Sequence, residues 1–267
     1  MVEIEKITSR DNRRLLHARK VRDGRSPGQI FIEGRRLVDE ALRSDLAIDD
    51  CFVADGFSDS ELFKAVSEHG VSVTQIPDRI FASIVDTKQP QGIILIAKRP
   101  ITSLATIEAG LKRSKLPIAL FLKEINNPSN LGAILRTVEA AGAAGVIVST
   151  DSADAFSPKA LRAAMGAAFR LPIVENAELE NLLQWARIAK LTPTATVAKA
   201  VSNYMNIDWI KPRLLIFGSE AHGLRDSELE QIDEAIKIPM ENSVESLNLA
   251  VSAGIILFEA KQQNSND

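Results

Sequence analysis

Among the 267 residues there is one cysteine, Cys51, and there are three histidines, His17, His69 and His222. A single thiol excludes an intramolecular disulfide, and these scattered side chains offer no spaced set of zinc ligands. Neither redox nor metal chemistry is expected. Long apolar runs are missing too. No stretch approaches the roughly twenty residues that span a bilayer, and the start, Met1-Val2-Glu3-Ile4-Glu5-Lys6, lacks the basic-then-apolar order of a signal peptide. The expectation is a cytoplasmic chain with no membrane association. An excess of positive charge is also absent, the net charge being −3, so any surface that attracts phosphate must be local. Neither G-x-G-x-x-G nor a P-loop lysine pattern occurs, which removes the fingerprints of dinucleotide and triphosphate binding.

What is present indicates a globular α/β chain. Hydrophobic residues make up 45% of it, ample for a packed core. Near the N-terminus Arg10, Arg13, Arg14, Arg19, Lys20, Arg22, Arg25, Arg35 and Arg36 are opposed only by Asp11, Asp23 and Glu33. That cluster reads equally as a solvated helix face or as a phosphate-binding surface.

Periodicity predicts helices at about Ser9 to Arg22, Arg35 to Arg43, Ser60 to Glu68 and Asp78 to Val85, with strands at Phe31-Ile32-Glu33, Ile48 to Val53, Val71 to Thr74 and Gly92 to Ala97. Residues 1–98 thus form a small α/β domain. Residues 99–115, with Pro100, a short helix and the basic Lys112-Arg113-Ser114-Lys115, read as a linker. Residues 116–267 form a second α/β series. Its strands fall at Ile118 to Leu122, Gly145 to Ser149, Leu171 to Val174, Thr194 to Val197, Leu214 to Phe217 and Ala235 to Ile238. The intervening helices are Asn130 to Ala141, Pro158 to Phe169, Leu179 to Ala189, Ser227 to Ile232 and Ser246 to Ala260. Such alternation favours a mostly parallel sheet covered on both faces. Only the tail from Gln262 to Asp267 reads as disordered.

Three segments of the second series carry chemistry. The first runs from Asn126 to Gly142, where Leu131, Leu135, Val138 and Gly142 share a packed face while Ser129, Gly132 and Arg136 share another. A guanidinium over a glycine-cleared surface near a helix N-terminus suits an anionic group, although alone the segment reads as well as a capped helix with a solvated arginine. The second, Leu214-Leu215-Ile216-Phe217-Gly218-Ser219-Glu220-Ala221-His222-Gly223-Leu224, is a buried strand feeding a glycine-rich loop. Loops at the carboxyl ends of parallel strands are the usual ligand sites, and a tight turn is the plain alternative. The third runs from Ile238 through Pro239-Met240 to Ser246-Leu247-Asn248 and a long helix whose buried stripe is read as Leu247, Val251, Gly254 and Phe258. Ser246 and Asn248 read there as capping residues.

The order of the three is more specific than any one of them. N-x-G-x-x-x-R, then G-x-E-x-x-G-L, then I-P-M followed by V-E-S-L-N-x-A resembles the SpoU/TrmH-type methyltransferases of the SPOUT superfamily, over about Ile118 to Glu259. Ser157 to Pro172 is similar to a further segment of that family, and Phe31-Ile32-Glu33-Gly34 through Ala41 looks like its ribosomal-protein-like substrate domain.

The resemblance implies a C-terminal α/β trefoil-knot methyltransferase domain behind a smaller α/β RNA-binding domain, working as a homodimer with S-adenosyl-L-methionine and no metal. It implies catalysis by Arg136, Asn130, Glu220, Ser246 and Asn248, with Glu220 orienting Arg136. The cofactor pocket would use Gly218, Ile238, Met240, Leu247, Leu224 and Gly223. The basic residues Arg10, Arg13, Arg14, Arg19, Lys20, Arg35 and Arg36 become candidates for binding structured RNA. The expected reaction is methylation of a ribose 2′-hydroxyl, with ribosomal RNA favoured by the separate N-terminal module. Transfer RNA is the alternative substrate, a non-catalytic RNA-binding protein of the same fold the alternative function.

Overall fold

The computed structural model describes residues 4–44, 46–242 and 244–265. In chain order its elements begin with β1 (Ile4–Lys6), α1 (Arg13–Arg22), β2 (Gln29–Glu33), α2 (Arg35–Leu42), β3 (Ile48–Ala54), α3 (Ser60–Glu68), β4 (Val73–Ile76), α4 (Asp78–Phe81), β5 (Ile93–Lys98) and α5 (Leu104–Arg113). There follow β6 (Leu116–Leu122), α6 (Pro128–Ala141), β7 (Ala143–Ser149), α7 (Pro158–Ala164), α8 (Ala167–Arg170), β8 (Ile173–Ala177) and α9 (Leu179–Ile188). The last are β9 (Thr192–Thr196), β10 (Ser202–Asn203), β11 (Arg213–Phe217), α10 (Asp226–Leu229), β12 (Glu234–Lys237) and α11 (Leu249–Ser265). Two compact units result: residues up to Pro100 together with Ala155–Arg170, and Ile101–Asp154 together with the residues from Leu171 onward.

The first unit holds a five-stranded sheet in the order β1-β4-β3-β5-β2. β1, β4 and β3 run parallel, and β5 is antiparallel to both β3 and β2. Asn12 starts α1 by accepting the Arg14 N–H at 2.9 Å, and α1 then buries Leu15, Ala18 and Val21 against Phe31, Phe52, Phe81 and Ile96. The amphipathic α2 buries Leu37, Val38, Ala41 and Leu42. Residues 155–170 complete this unit through ion pairs of Arg162 with Asp86 at 2.7 Å and of Arg170 with Glu40 at 2.6 Å.

The helix expected over Pro158 to Phe169 is broken into α7 and α8. Met165 has φ 53° and Gly166 φ 93°, and a Cβ on Gly166 would fall 2.6 Å from the Glu40 carboxylate. Close approach to α2 therefore demands glycine and a left-handed turn at this point.

The second unit is a seven-stranded sheet, β10-β12-β9-β11-β6-β7-β8, in which every pairing is parallel. On one face Ile107 of α5 and Leu182, Leu183 and Ala186 of α9 join Phe121, Ile147, Leu214 and Ile216 in the core. Residues 99–115 are thus not a bare linker, because α5 packs on β6 and β7. On the other face α6 and α11 pack against each other. From β6 the chain moves outward through β7 and β8, then crosses to β9 on the opposite side. The carboxyl ends of β6 and β11 flank that switch in direction, with β9 and β12 beyond β11, and open α/β sheets form ligand crevices at such places.

Two sequence expectations fail in α11. Its buried residues are Ala253, Ile256, Leu257 and Ala260, whereas Val251 and Phe258 are about half exposed. The helix is apolar around much of its circumference, so spacing alone left its inward face undetermined. The tail expected to be disordered is helical through Ser265, with Asn266 and Asp267 outside the described residues. The strands β1 and β10 had no counterpart in the sequence reading, being too short to show alternation.

Candidate active site

All three motif segments lie at the carboxyl end of the parallel sheet. In the first, Asn127 caps α6 by accepting the Ser129 N–H at 2.9 Å, with Pro128 in the first turn where its missing N–H does no harm. This seats Asn130 in the first turn of the helix. The second loop closes on itself: Ser219 and Gly223 exchange backbone hydrogen bonds of 3.1 and 2.9 Å, and the Ser219 hydroxyl accepts the His222 N–H at 3.1 Å. A Cβ on Gly218 would fall 2.4 Å from the Gly223 carbonyl carbon, so the turn tolerates only glycine there. Asn248 starts α11, its side-chain oxygen accepting the Ala250 N–H at 2.9 Å.

One polar chain joins the three. Asn248 Nδ2 donates to Asn130 Oδ1 at 3.2 Å, and Asn130 Nδ2 donates to Glu220 Oε1. Glu220 is therefore engaged by Asn130 and does not orient Arg136, as the sequence reading had expected. Arg136 is exposed on α6 and makes no hydrogen bond or ion pair among the described residues. Its guanidinium is open to an external anion.

Beside this chain is a cleft of about 140 Å³ lined by Gly218, Gly223, Ile238, Met240, Ser246 and Leu247. Leu224 is not part of the lining; it packs against the core with Ile107 and Phe121. The sequence reading missed Thr196, Val197 and Ala198 at the end of β9, and Leu249, Ser252 and Ile256 of α11, which also line the cleft. The carboxyl-end position of β9 was the available signal.

The basic residues of the first unit divide into engaged and open. Arg14 is held by Asp50 at 2.6 Å and Glu5 at 2.5 Å, with its guanidinium 5.4 Å over the Phe52 ring. Arg19 donates to Ser83 Oγ at 2.9 Å and to the Arg10 carbonyl at 3.1 Å; burial, reinforced by Arg10 and Arg22, lowers its pKa from the ordinary value. Arg35 pairs with Asp59 at 2.5 Å. Arg10, Arg13, Lys20 and Arg36 are exposed and make no ion pair among the described residues.

Residues 117–258 match the SpoU rRNA Methylase family, and residues 12–95 match the MRM3-like substrate binding domain. The chain belongs to the SpoU rRNA methylase family. It is 31% identical to an uncharacterised tRNA/rRNA methyltransferase of Synechocystis, over 98% of this chain and 95% of that one. It is 29% identical to the 23S rRNA (guanosine(2553)-2′-O)-methyltransferase of Bacillus subtilis, over 92% of this chain and 93% of that one. The structure is similar to that of the AdoMet-bound rRNA methyltransferase from Sinorhizobium meliloti, with a TM-score of 0.83 at 27% identity over 97% and 98% of the two chains.

As a SpoU member the chain is an enzyme, an S-adenosylmethionine-dependent RNA 2′-O-ribose methyltransferase. The cleft fits that cofactor. Among the described residues that line it, only Lys237 and Glu245 carry charge, one of each sign, and the remainder are apolar, small or hydroxyl-bearing. Such walls accept a neutral adenosine and a single sulfonium, whereas a triphosphate would require converging cations.

Proposed function

We propose that this enzyme methylates a ribose 2′-hydroxyl of structured ribosomal RNA, as a homodimer in the cytoplasm, gripping RNA with its first unit and reacting at the cleft of its second. The observation that carries the reading is the polar chain Asn248–Asn130–Glu220, which links the three motif segments beside an apolar cleft. Gly218, Ile238, Met240 and Leu247 would hold S-adenosylmethionine there, and it would supply an electrophilic methyl carbon.

The residues of the chain then have separable tasks. Asn130, fixed by Glu220 and Asn248, presents the ribose to the cleft, and Ser246 adds a hydroxyl to its rim. Arg136 remains protonated, since a guanidinium has a pKa above about 12. It binds the adjacent phosphate and stabilises negative charge developing on the 2′-oxygen, while the 2′-hydroxyl proton passes to a phosphate oxygen or to water. Holding these groups in line accounts for much of the acceleration.

Ribosomal RNA is favoured over transfer RNA by the substrate-domain match over residues 12–95 and by the naming of the Bacillus subtilis relative. Dimer formation is supported by α11, where Val251, Ile255 and Phe258 form an apolar stripe away from the buried face, Val251 and Phe258 being about half exposed. The trefoil knot belongs to the same proposal: the loops after β11 and β12 meet at one cleft, which α11 closes before packing on α6. The cytoplasmic assignment rests on its RNA substrate; no helix among the described residues is long and apolar enough to cross a membrane.

The test is transfer of a radiolabelled methyl group to ribosomal RNA and, separately, to transfer RNA, with nuclease mapping of the product. A 2′-O-methyl nucleotide in ribosomal RNA is the expected result. Methylation confined to transfer RNA, or RNA binding without methylation, would replace the proposal by its alternatives.

A further inference from the structure

Lys123 follows β6 at the root of the loop that leads to Asn130, while Arg225 and Glu228 follow the loop that carries Glu220. The reaction outlined above uses none of these three. Yet Lys123 and Glu228 are buried, at 8% and 5% exposure, with Lys123 Nζ 3.3 Å from Glu228 Oε1 and also bonded to Glu124. The Lys123 backbone N–H donates to the Phe217 carbonyl at 2.9 Å, just beyond the β6–β11 ladder. On its other side Glu228 accepts the Arg225 backbone N–H at 2.9 Å and two guanidinium bonds, from Nε at 3.0 Å and Nη2 at 2.6 Å. A single carboxylate thus ties the root of the first motif loop to the far end of the second.

A buried ion pair is a poor source of stability, because desolvating both charges offsets much of their attraction, and an apolar pair of similar volume often does as well or better. What it contributes instead is a defined spacing, since several directed bonds converge on one group. The loop root has little slack on its other side. Glu124 sits at φ 54°, its N–H bonded to Ser149 Oγ at 2.8 Å, and the Ile125 N–H is bonded to Ser152 Oγ at 3.0 Å.

We infer that Lys123 and Glu228 are positioning residues that set the separation of the two motif loops so that Asn130 and Glu220 meet, an inference that rests on the active-site reading given above. None of the three clasp residues lines the cofactor cleft. Loosening the clasp therefore alters turnover more than cofactor binding, a misplacement of about 1 Å at reacting groups being worth roughly 10²-fold in rate.

The experiment is steady-state methylation of ribosomal RNA by the full chain. It compares wild type, the paired variant Lys123→Met/Glu228→Met, and Arg225→Ala, each with and without Glu220→Gln. The paired variant replaces the charges by apolar volume and leaves no buried charge without its partner. Arg225, whose side chain is 73% exposed, can be removed without opening the core. The paired variant is expected to lower kcat by about 10- to 100-fold, with KM for S-adenosylmethionine within about threefold of wild type. Arg225→Ala shifts kcat in the same direction by less. Glu220→Gln, costly in wild type, adds little in the paired background, as for residues acting through one contact. Wild-type kcat in the paired variant overturns the inference, as does an unchanged effect of Glu220→Gln in every background. If the paired variant does not fold, Arg225→Ala decides: effects that multiply independently with those of Glu220→Gln overturn it. An inactive wild type overturns the functional proposal as well; an active wild type with indifferent variants overturns only the positioning role.

Discussion

Asn130 holds its place in the polar chain because an amide both donates and accepts, giving Nδ2–H to Glu220 and taking a bond from Asn248 on Oδ1. A carboxylate in its place would only accept, facing Glu220 with like charge. Asn130→Asp is therefore expected to lose at least as much kcat as Asn130→Ala, about 10²-fold or more, with the thermal midpoint little changed. A more active aspartate variant would refute the donor role. Arg136→Lys is expected to recover little of the loss caused by Arg136→Ala, because a point charge does not reproduce a planar fork of donors; near-wild-type methylation by the lysine variant would sink that role. The sequence made Asn130, Glu220 and Asn248 legible as members of one site, because three ordered motifs converge on one sheet end. It did not show which partner Glu220 takes. Asn130 and Arg136 stand about 120° apart around α6, so spacing leaves both within reach of a nearby loop, and only the course of the second loop determines which of them Glu220 meets. Elsewhere, burial, aided by Asp50, pushes the Cys51 thiol up to about 12. An unfolded thiol ionises near its ordinary value, about 8.5, so the folded state loses stability as pH rises from there toward 12 and is unaffected below. Cys51→Ala should flatten that part of a denaturation-against-pH profile, and native Cys51 should resist alkylation at pH 8. Rapid labelling of folded protein would contradict the burial.

Helices and strands with clear period were read close to their observed limits, α3 over Ser60–Glu68 among them, because alternation and capping residues such as Asp59 are local signals. What failed depended on distant contacts. The break between α7 and α8 is imposed by Glu40 of α2, far away in the chain. The inward face of α11 is chosen by α6, and a helix so evenly apolar offers no contrast by which to foresee it. The exposed side of α11 gives a prediction at this scale. If the proposed dimer forms through this side, Phe258→Asp, at a half-exposed position, should leave the fold intact and shift the species seen by sedimentation from dimer to monomer at micromolar protein. A Phe258→Asp variant that remains dimeric would place the interface elsewhere.

For the whole molecule, the boundary read near residue 115 does not isolate a self-sufficient second half. Removing the first 114 residues would take Ile107 and the rest of α5 from its core, and would strip Ala155–Arg170 of the unit in which it packs. Such a fragment is expected to aggregate or to unfold without a cooperative transition. Cooperative melting with wild-type affinity for S-adenosylmethionine would show the opposite. RNA affinity is better probed in the full chain by replacing the open residues Arg10, Arg13, Lys20 and Arg36 together with Gln. If all four meet phosphates, the slope of log affinity against log salt falls by roughly 0.7 to 0.9 for each, whereas Arg14→Gln, which removes an engaged side chain, should act chiefly on stability. Equal slopes for the fourfold variant and wild type would leave the basic cluster a solvated surface.

The parallel order of the second sheet also bears on how the enzyme is made. β6 pairs along its length with β11, Ile118 with Arg213 and Leu122 with Phe217. A chain leaving the ribosome at about 5 to 20 residues per second must carry β6 with that edge unsatisfied for roughly 5 to 20 s before its partner is synthesised. During that interval Leu116–Leu122 is an aggregation-prone strand for which a chaperone is the natural companion. The cleft, which draws on β9, β11, β12 and α11, takes shape only once α11 has been made. An enzyme read as acting on ribosomal RNA therefore stays incompetent for as long as the ribosome that makes it still holds α11.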